Sequence, residues 1–224
     1  MKSYSIANDD KLESKEVMLN PIPTSDPLLS RPADKWFNSD AQFHHLYPRS
    51  VQELASRHWT PLCVARKAAA FLAAEHGVRV LDIGSGSGKF CLAGAYYSPN
   101  AFYFGVEQRK QLVSDAETAR KIIGFENVSF IHGNFTQLNI KHYDHFYLFN
   151  PFYENLVGTD KIDDSIAYSE ELYYYYNRYL RKQLEQMPSG TKLATFHGME
   201  DEIPASFQQV ASEMTDHLKF WIKI

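Results

Sequence analysis

Asp82, Gly84, Gly86, Gly88, Glu107, Asn134 and Asn150 are the residues whose types and spacing point to chemistry in this chain of 224 residues. The glycines alternate directly after the apolar run Val78, Val80, Leu81 and Ile83, and Lys89-Phe90-Cys91-Leu92 continues them as a helix. A strand, a glycine turn and a helix amino-terminus in succession let backbone approach a ligand closely and aim free N–H groups at it. Spacing separates the ligands that such a turn serves. A phosphate-binding loop needs G-x-x-x-x-G-K-[ST], but Gly84 and Gly88 stand one residue too close and Phe90 occupies the position of the metal-binding hydroxyl. A dinucleotide turn needs G-x-G-x-x-G, and here Lys89 stands at its third glycine. Glu107 lies 25 positions beyond Asp82, close to the distance of about 20 at which a second-strand carboxylate meets a ribose diol.

The elements that position these residues follow from periodicity. Thr60 is a good N-cap and Pro61 suits a first helical position, so a helix is expected over residues 61–76 with Leu62, Ala65, Ala69 and Leu72 on one face. Gly77 ends it ahead of the first strand. A second strand over 101–107 finishes on Glu107, and a helix over 108–123 carries Leu112, Ala116, Ala119 and Ile123 on its core side. A third strand over 127–132 leads into Gly133-Asn134-Phe135, and a fourth over 143–149 finishes on Asn150-Pro151-Phe152-Tyr153. Loops at the carboxyl ends of strands are where open α/β sheets bind ligands. Residues 155–167 form a polar, mobile loop. A long helix over 168–187, in which most of the 173–176 tyrosines serve core and rim packing, precedes a fifth strand over 191–196 and two more at 207–213 and 218–224.

Upstream, prolines at 21, 23, 27 and 32 break a polar stretch, so residues 1–35 read as an extended or partly ordered arm. Residues 36–58 hold enough apolar side chains for a cap of one or two short helices around Pro48, leaving 59–224 as the main domain. Net charge is −4, which gives no overall basic field for nucleic acid. The two cysteines, Cys63 and Cys91, are expected as buried free thiols of a reducing compartment. No run approaches a membrane span, and His44, His45, His142 and His145 lack partners at metal spacing, so a soluble, cytoplasmic protein without metal or membrane contact is expected.

The run Asp82-x-Gly84-x-Gly86-x-Gly88 resembles the acidic-x-G-x-G-x-G signature of class I S-adenosylmethionine-dependent methyltransferases, and the likeness extends over roughly residues 57–224. It implies an α/β fold: a Rossmann-like sheet, mostly parallel, of seven strands with an antiparallel last strand, flanked by helices and preceded by the helical cap. It further implies that S-adenosylmethionine is the cofactor. Asp82 then organises the turn or meets the amino acid end, Gly84, Ser85, Gly86 and Gly88 pack against the cofactor, and Glu107 with Gln108 takes the ribose. Asn134, where Asp is more usual, meets the adenine edge with Phe135 beside it, and Thr60 lies by the methionine moiety. Asn150-Pro151-Phe152-Tyr153 resembles the [D/N]-P-P-[Y/F] tetrapeptide of amino-methyltransferases acting on adenine, cytosine or glutamine amides, with Phe152 in place of the second proline. Asn150, Pro151 and Phe152 are thereby the catalytic candidates. Gly105-Val106-Glu107 and Asn150-x-Phe152 are similar to non-SET histone lysine methyltransferases.

The expected function is methylation of a nitrogen of a protein side chain or small molecule. The alternatives are a catalytically inactive binding module of the same fold and a nucleic-acid amino-methyltransferase. The expected partners are S-adenosylmethionine or S-adenosylhomocysteine and a methyl acceptor.

Overall fold

Nearly continuous buried runs in β1, β4 and β5 give this chain a sheet whose centre is covered on both faces. In the computed structural model, which describes residues 31–198 and 202–224, the strands are β1 (Arg79–Ile83), β2 (Phe102–Glu107), β3 (Val128–His132), β4 (His145–Phe149), β5 (Lys192–Phe196), β6 (Phe207–Glu213) and β7 (Leu218–Lys223). The helices are α1 (Asp34–Phe37), α2 (Asp40–His44), α3 (Arg49–Gln52), α4 (Ala55–His58), α5 (Leu62–Leu72), α6 (Lys89–Tyr97), α7 (Lys110–Ile123) and α8 (Glu170–Glu185). The arm expected over residues 1–35 falls, for residues 1–30, outside the described residues.

The strands lie in the order β3-β2-β1-β4-β5-β7-β6. β1 to β5 run parallel, and β7 is antiparallel to both β5 and β6. The seven-stranded, mostly parallel Rossmann-like sheet with an antiparallel last strand is therefore the observed architecture. On one face Val80, Tyr103, Tyr147, Ala194 and Phe220 pack with α5, α6, α7 and the short helices. On the other, Leu81, Ile83, Phe146, Leu148, Leu193 and Trp221 pack with α8. The chain leaves β1 for β2 on one side and reaches β4 on the other, so the crevice at the carboxyl ends of these strands is a topological switch point.

Several local expectations change. Residues 34–58 form four short helices rather than one or two, because Ser39 caps α2 through Gln42 N (3.2 Å) and Pro48 starts α3 separately. Thr60 does not cap α5. Pro61 occupies the N-cap without a side-chain bond, and Asp40 accepts from Leu62 N instead (3.0 Å), so the cap arrives from α2 through tertiary contact. α5 stops at Leu72 because the polar 75–77 segment has no apolar face to bury. Cys63 is exposed rather than buried: it shares the outer face of α5 with Arg66 and Lys67, whereas Cys91 is buried. On α8, Tyr176 is core, but Tyr174 and Tyr175 are more than half exposed.

One strand position decides how tightly the glycine turn sits. A Cβ on Gly105 would stand 2.6 Å from Ser85 Oγ and 2.8 Å from Phe130 Cδ1. Gly105→Ala is expected to cost about 1–3 kcal/mol by overpacking, a fall of roughly 2–10 °C in thermal unfolding midpoint. Calorimetry of the two proteins checks it.

Candidate functional site

The site is built at the carboxyl edge of β1, β2 and β4, where register brings Ile83, Val106 and Leu148 side by side. Gly84 and Ser85 both donate backbone N–H to Val106 O (3.0 Å each), which folds the glycine turn across the end of β2. Gly84 has φ +78, and a Cβ there would lie 2.9 Å from Pro151 Cβ. A side chain at residue 84 is therefore excluded twice, by conformation and by the close passage of the chain leaving β4.

Glu107, 5% exposed, ties the turn to β2. Its Oε2 accepts from Gly86 N (3.1 Å) and its Oε1 accepts from Arg109 N (2.9 Å). A cavity of about 330 Å³ opens over these groups, lined by Gly84, Gly86, Glu107, Asn150, Pro151 and Tyr153 among others. Trp59 and Phe149 supply aromatic wall. Asn150 is left-handed (φ +42) at the strand end, a conformation that asparagine tolerates better than most residues and that marks sites held by their surroundings.

Two smaller recesses adjoin the cavity. One is lined by Gln108, Gly133, Phe135, Phe152, Tyr168 and Tyr176, among others. Phe152 stands here, 5% exposed, with its ring 5.1 Å from Phe135 and 5.4 Å from Tyr176. It belongs to the wall shared with α8 and does not line the large cavity, where the exposed Tyr153 stands instead. Asn134 turns its polar atoms onto its own surroundings: Oδ1 accepts from Thr136 N (3.0 Å), and Nδ2 donates to Gln108 Oε1 (3.0 Å) and Tyr176 Oη (2.8 Å). The other recess is lined by Thr60, Asp82, Ser85, Ser87, Lys89 and Tyr147, among others. Thr60 and Tyr147 share a hydroxyl hydrogen bond of 3.0 Å.

Asp82 projects to the α6 side of the sheet, where the Cys91 thiol donates to it at 3.8 Å. Burial raises its pKa well above the ordinary carboxylate value, and Glu107 adds to the rise while the thiol bond opposes it. Ser85 Oγ and Ser87 Oγ are buried without a partner. Unpaired buried hydroxyls are rare in folded chains and call for an explanation such as a ligand. The residues bordering the cavity and this recess fit a nucleoside-type ligand with a polar tail: a carboxylate, Glu107, at the strand end and serine, threonine and lysine residues around the recess beyond it.

Arg109 was invisible to spacing rules and proves to be the electrostatic centre of the site. Its guanidinium, 5% exposed, pairs with Glu107 (3.4 Å), Glu154 (2.7 Å) and Asp163 (3.2 Å) and donates to Tyr168 Oη (2.6 Å). Burial opposes its charge, but Glu154 and Glu107 outweigh burial and hold its pKa above the ordinary value. Glu154 also accepts from Ile162 N (2.6 Å). The segment expected to be a mobile loop is thus tied at Glu154, Asp163 and Tyr168 to the end of β2. Among the described residues no group of three or more His, Cys, Asp or Glu is arranged to hold a metal ion.

Two outcomes are expected. Arg109→Met leaves Glu107 buried without its cation, which costs about 3 kcal/mol or more; thermal unfolding should register the loss, and hydrogen exchange should speed up across residues 153–168. The second concerns Asp82. Between about pH 4 and its raised folded pKa, the native state holds a proton that the unfolded chain has released. Stability therefore falls as pH rises through that window. Asp82→Asn should flatten that slope in ligand-free protein, which melting curves from pH 4 upward test.

Comparison with known proteins accords with this geometry. Residues 74–177 match the family model described as a methyltransferase domain. The tRNA (guanine-N(7)-)-methyltransferase of Synechococcus sp. (strain JA-3-3Ab) is 30% identical over 147 residues, covering 63% of this chain and 56% of that protein. Its namesake from Synechococcus sp. (strain JA-2-3B'a(2-13)) is 29% identical over 145 residues, 63% of this chain and 55% of that protein. The chain spans about half the length of the curated relatives it matches. Among solved structures, TrmN from Thermus thermophilus superposes with a TM-score of 0.55 at 19% identity, over 78% of this chain and 52% of that one. An RNA methyltransferase from Salinibacter ruber in complex with S-adenosyl-L-homocysteine gives 0.50 at 19% identity, over 74% and 93%. With its switch-point crevice, its glycine turn and its antiparallel last strand, this chain has a Rossmann-like fold similar to that of these structures, and its residues 74–177 resemble a methyltransferase domain.

Proposed function

We propose that this protein is an S-adenosylmethionine-dependent methyltransferase acting on an amine nitrogen of a protein side chain or small molecule. The observation that carries the cofactor reading is the shared cavity: Glu107, Gly84, Gly86 and Asn150-Pro151 line one space, with the recesses of Asp82 and Phe135 on its flanks. Glu107 holds the ribose hydroxyls, Gly86 gives close backbone approach, and Asp82 takes the amino acid end. When bound, the cofactor supplies a methyl group made electrophilic by its sulfonium. The residues then have to orient the nucleophile and exclude water. Asn150 Oδ1 and the Pro151 carbonyl accept the N–H groups of an incoming amine, Trp59, Phe149 and Tyr153 wall off solvent, and Arg109 keeps the 153–168 segment over the mouth.

Charge supports the choice of acceptor. The stretch 150–168 carries Glu154, Asp160, Asp163 and Asp164 against Lys161, with Arg109 at the end of β2 pairing both Glu154 and Asp163. An acidic, aromatic-walled mouth suits an ammonium-bearing acceptor and repels a phosphate backbone, for which a basic surface is the usual footprint. The names of the curated relatives favour a second reading, transfer to a guanine of tRNA.

Isothermal titration should show binding of S-adenosylmethionine, weakened about 10–100-fold in Glu107→Ala through loss of charge-assisted hydrogen bonds. Absence of binding to the unaltered protein would refute the cofactor reading. With labelled methyl donor, label is expected in protein or small amines. Label appearing in tRNA alone would overturn the acceptor reading and leave the methyltransferase reading standing, and binding without transfer to any acceptor would make the protein a binding module.

A further inference from the structure

The glycine turn is held from two directions, and one of them is a segment 40 positions upstream. Gly84, Gly86 and Gly88 all have positive φ, at +78, +52 and +82, and glycine takes either sign of φ at similar cost. Nothing in the local backbone therefore confines the turn to one conformation. Its first half is tied to β2: Gly84 N and Ser85 N donate to Val106 O (3.0 Å each), and Gly86 N donates to Glu107 Oε2 (3.1 Å). Its second half, Ser87-Gly88, is bonded within the turn through Gly88 N to Ser85 O (2.8 Å). The tie to the amino-terminal helices is made by Tyr47, whose hydroxyl donates to Ser87 O at 2.8 Å in a buried bond.

Tyr47 is fixed before it reaches the turn. It is 4% exposed, with its ring 4.9 Å from that of Trp59 and 5.7 Å from that of Phe43. Its backbone N–H donates to His44 O (3.0 Å), and its carbonyl accepts from Gln52 Nε2 (2.9 Å). Burial pushes the phenol pKa up, so the hydroxyl keeps the proton it donates at neutral pH. Ser87 lines both the main cavity and the recess beside Trp59, whereas Tyr47 lines neither. The bond thus draws the Ser87 carbonyl toward the amino-terminal helices and leaves the opposite side of the turn to the cavity.

We propose that Tyr47 is a positioning residue: without touching the ligand, its hydroxyl holds Ser87-Gly88 in the conformation that receives the cofactor. The proposal rests on the reading of S-adenosylmethionine as cofactor. Residues 34–58 then serve the site as well as covering α5 and α6. A Tyr47 that only packed these helices together would act on stability and leave the turn as it is.

Two variants separate these roles, because each removes one hydrogen bond of Tyr47 and only one of the bonds reaches the turn. Y47F loses the bond to Ser87 O and keeps the ring, and Q52A loses the bond to the Tyr47 carbonyl. Each is expected to lower the melting midpoint by up to about 6 °C. In calorimetric titration with S-adenosylhomocysteine, Y47F should bind about 5–20-fold more weakly, the scale of one buried hydrogen bond, and Q52A should stay within about twofold of the unaltered protein. Hydrogen exchange at residues 86–89 should quicken in Y47F alone. Equal weakening in both variants would overturn the proposal in favour of a structural tyrosine, and unchanged binding by Y47F would overturn it while leaving the cofactor reading intact. If the unaltered protein binds neither S-adenosylmethionine nor S-adenosylhomocysteine, both readings fall. A further check needs no variant: in the ligand-free unaltered protein residues 86–89 should exchange as slowly as α6, and fast exchange there would overturn the proposal.

Discussion

Close approach of backbone at the carboxyl edge of the sheet is the constraint on which this site depends. Gly84 passes against Pro151, and Gly105 lies beneath Ser85, each with no room for a side chain. These contacts bring the ends of β1, β2 and β4 within reach of one ligand. Any looser passage would separate Glu107 from Asn150 and leave three strand ends without a shared cavity. The left-handed backbone at Asn150 follows from the same crowding, because the chain has to turn sharply off β4 past Gly84.

Electrostatics then organises what the backbone has gathered. One guanidinium, Arg109, serves three carboxylates and a tyrosine hydroxyl, and so links the acid at the end of β2 to the segment that follows β4 and lines the cavity. A buried carboxylate such as Glu107 needs that partner, since an unpaired buried charge is costly. The arrangement leaves the mouth with an excess of negative charge. Asp40 does comparable work on the other flank, where it caps α5 and holds the buried Lys89. Both hubs join segments remote in sequence.

The order of elements was legible because it rests on local properties. Apolar runs marked the strands, the alternate glycines marked the turn, and Glu107 stood out by its distance from Asp82 at the end of the second run. Errors arose where a local signal met a stronger tertiary one. Thr60 has the side chain of an N-cap, yet its hydroxyl pairs with Tyr147 and Asp40 supplies the cap. Cys63 lies in an apolar stretch, but it falls on the outward turn of α5. Phe152 follows Asn150-Pro151 directly, and the turn after β4 sends it into the wall with Phe135 and Tyr176.

The sequence by itself determined the strand–turn–helix core, the α/β class and the strand ends that border the cavity, because apolar runs and glycine geometry act over a few residues. Only the tertiary structure decided which groups complete the site. Arg109 meets Glu154, Asp163 and Tyr168 across 45 to 59 positions, and Lys89 meets Asp40 across 49. No spacing rule connects such pairs. They are neighbours because the sheet order places β4 beside β1 and the 34–58 helices over α6, and burial then selects the opposite charge each one needs.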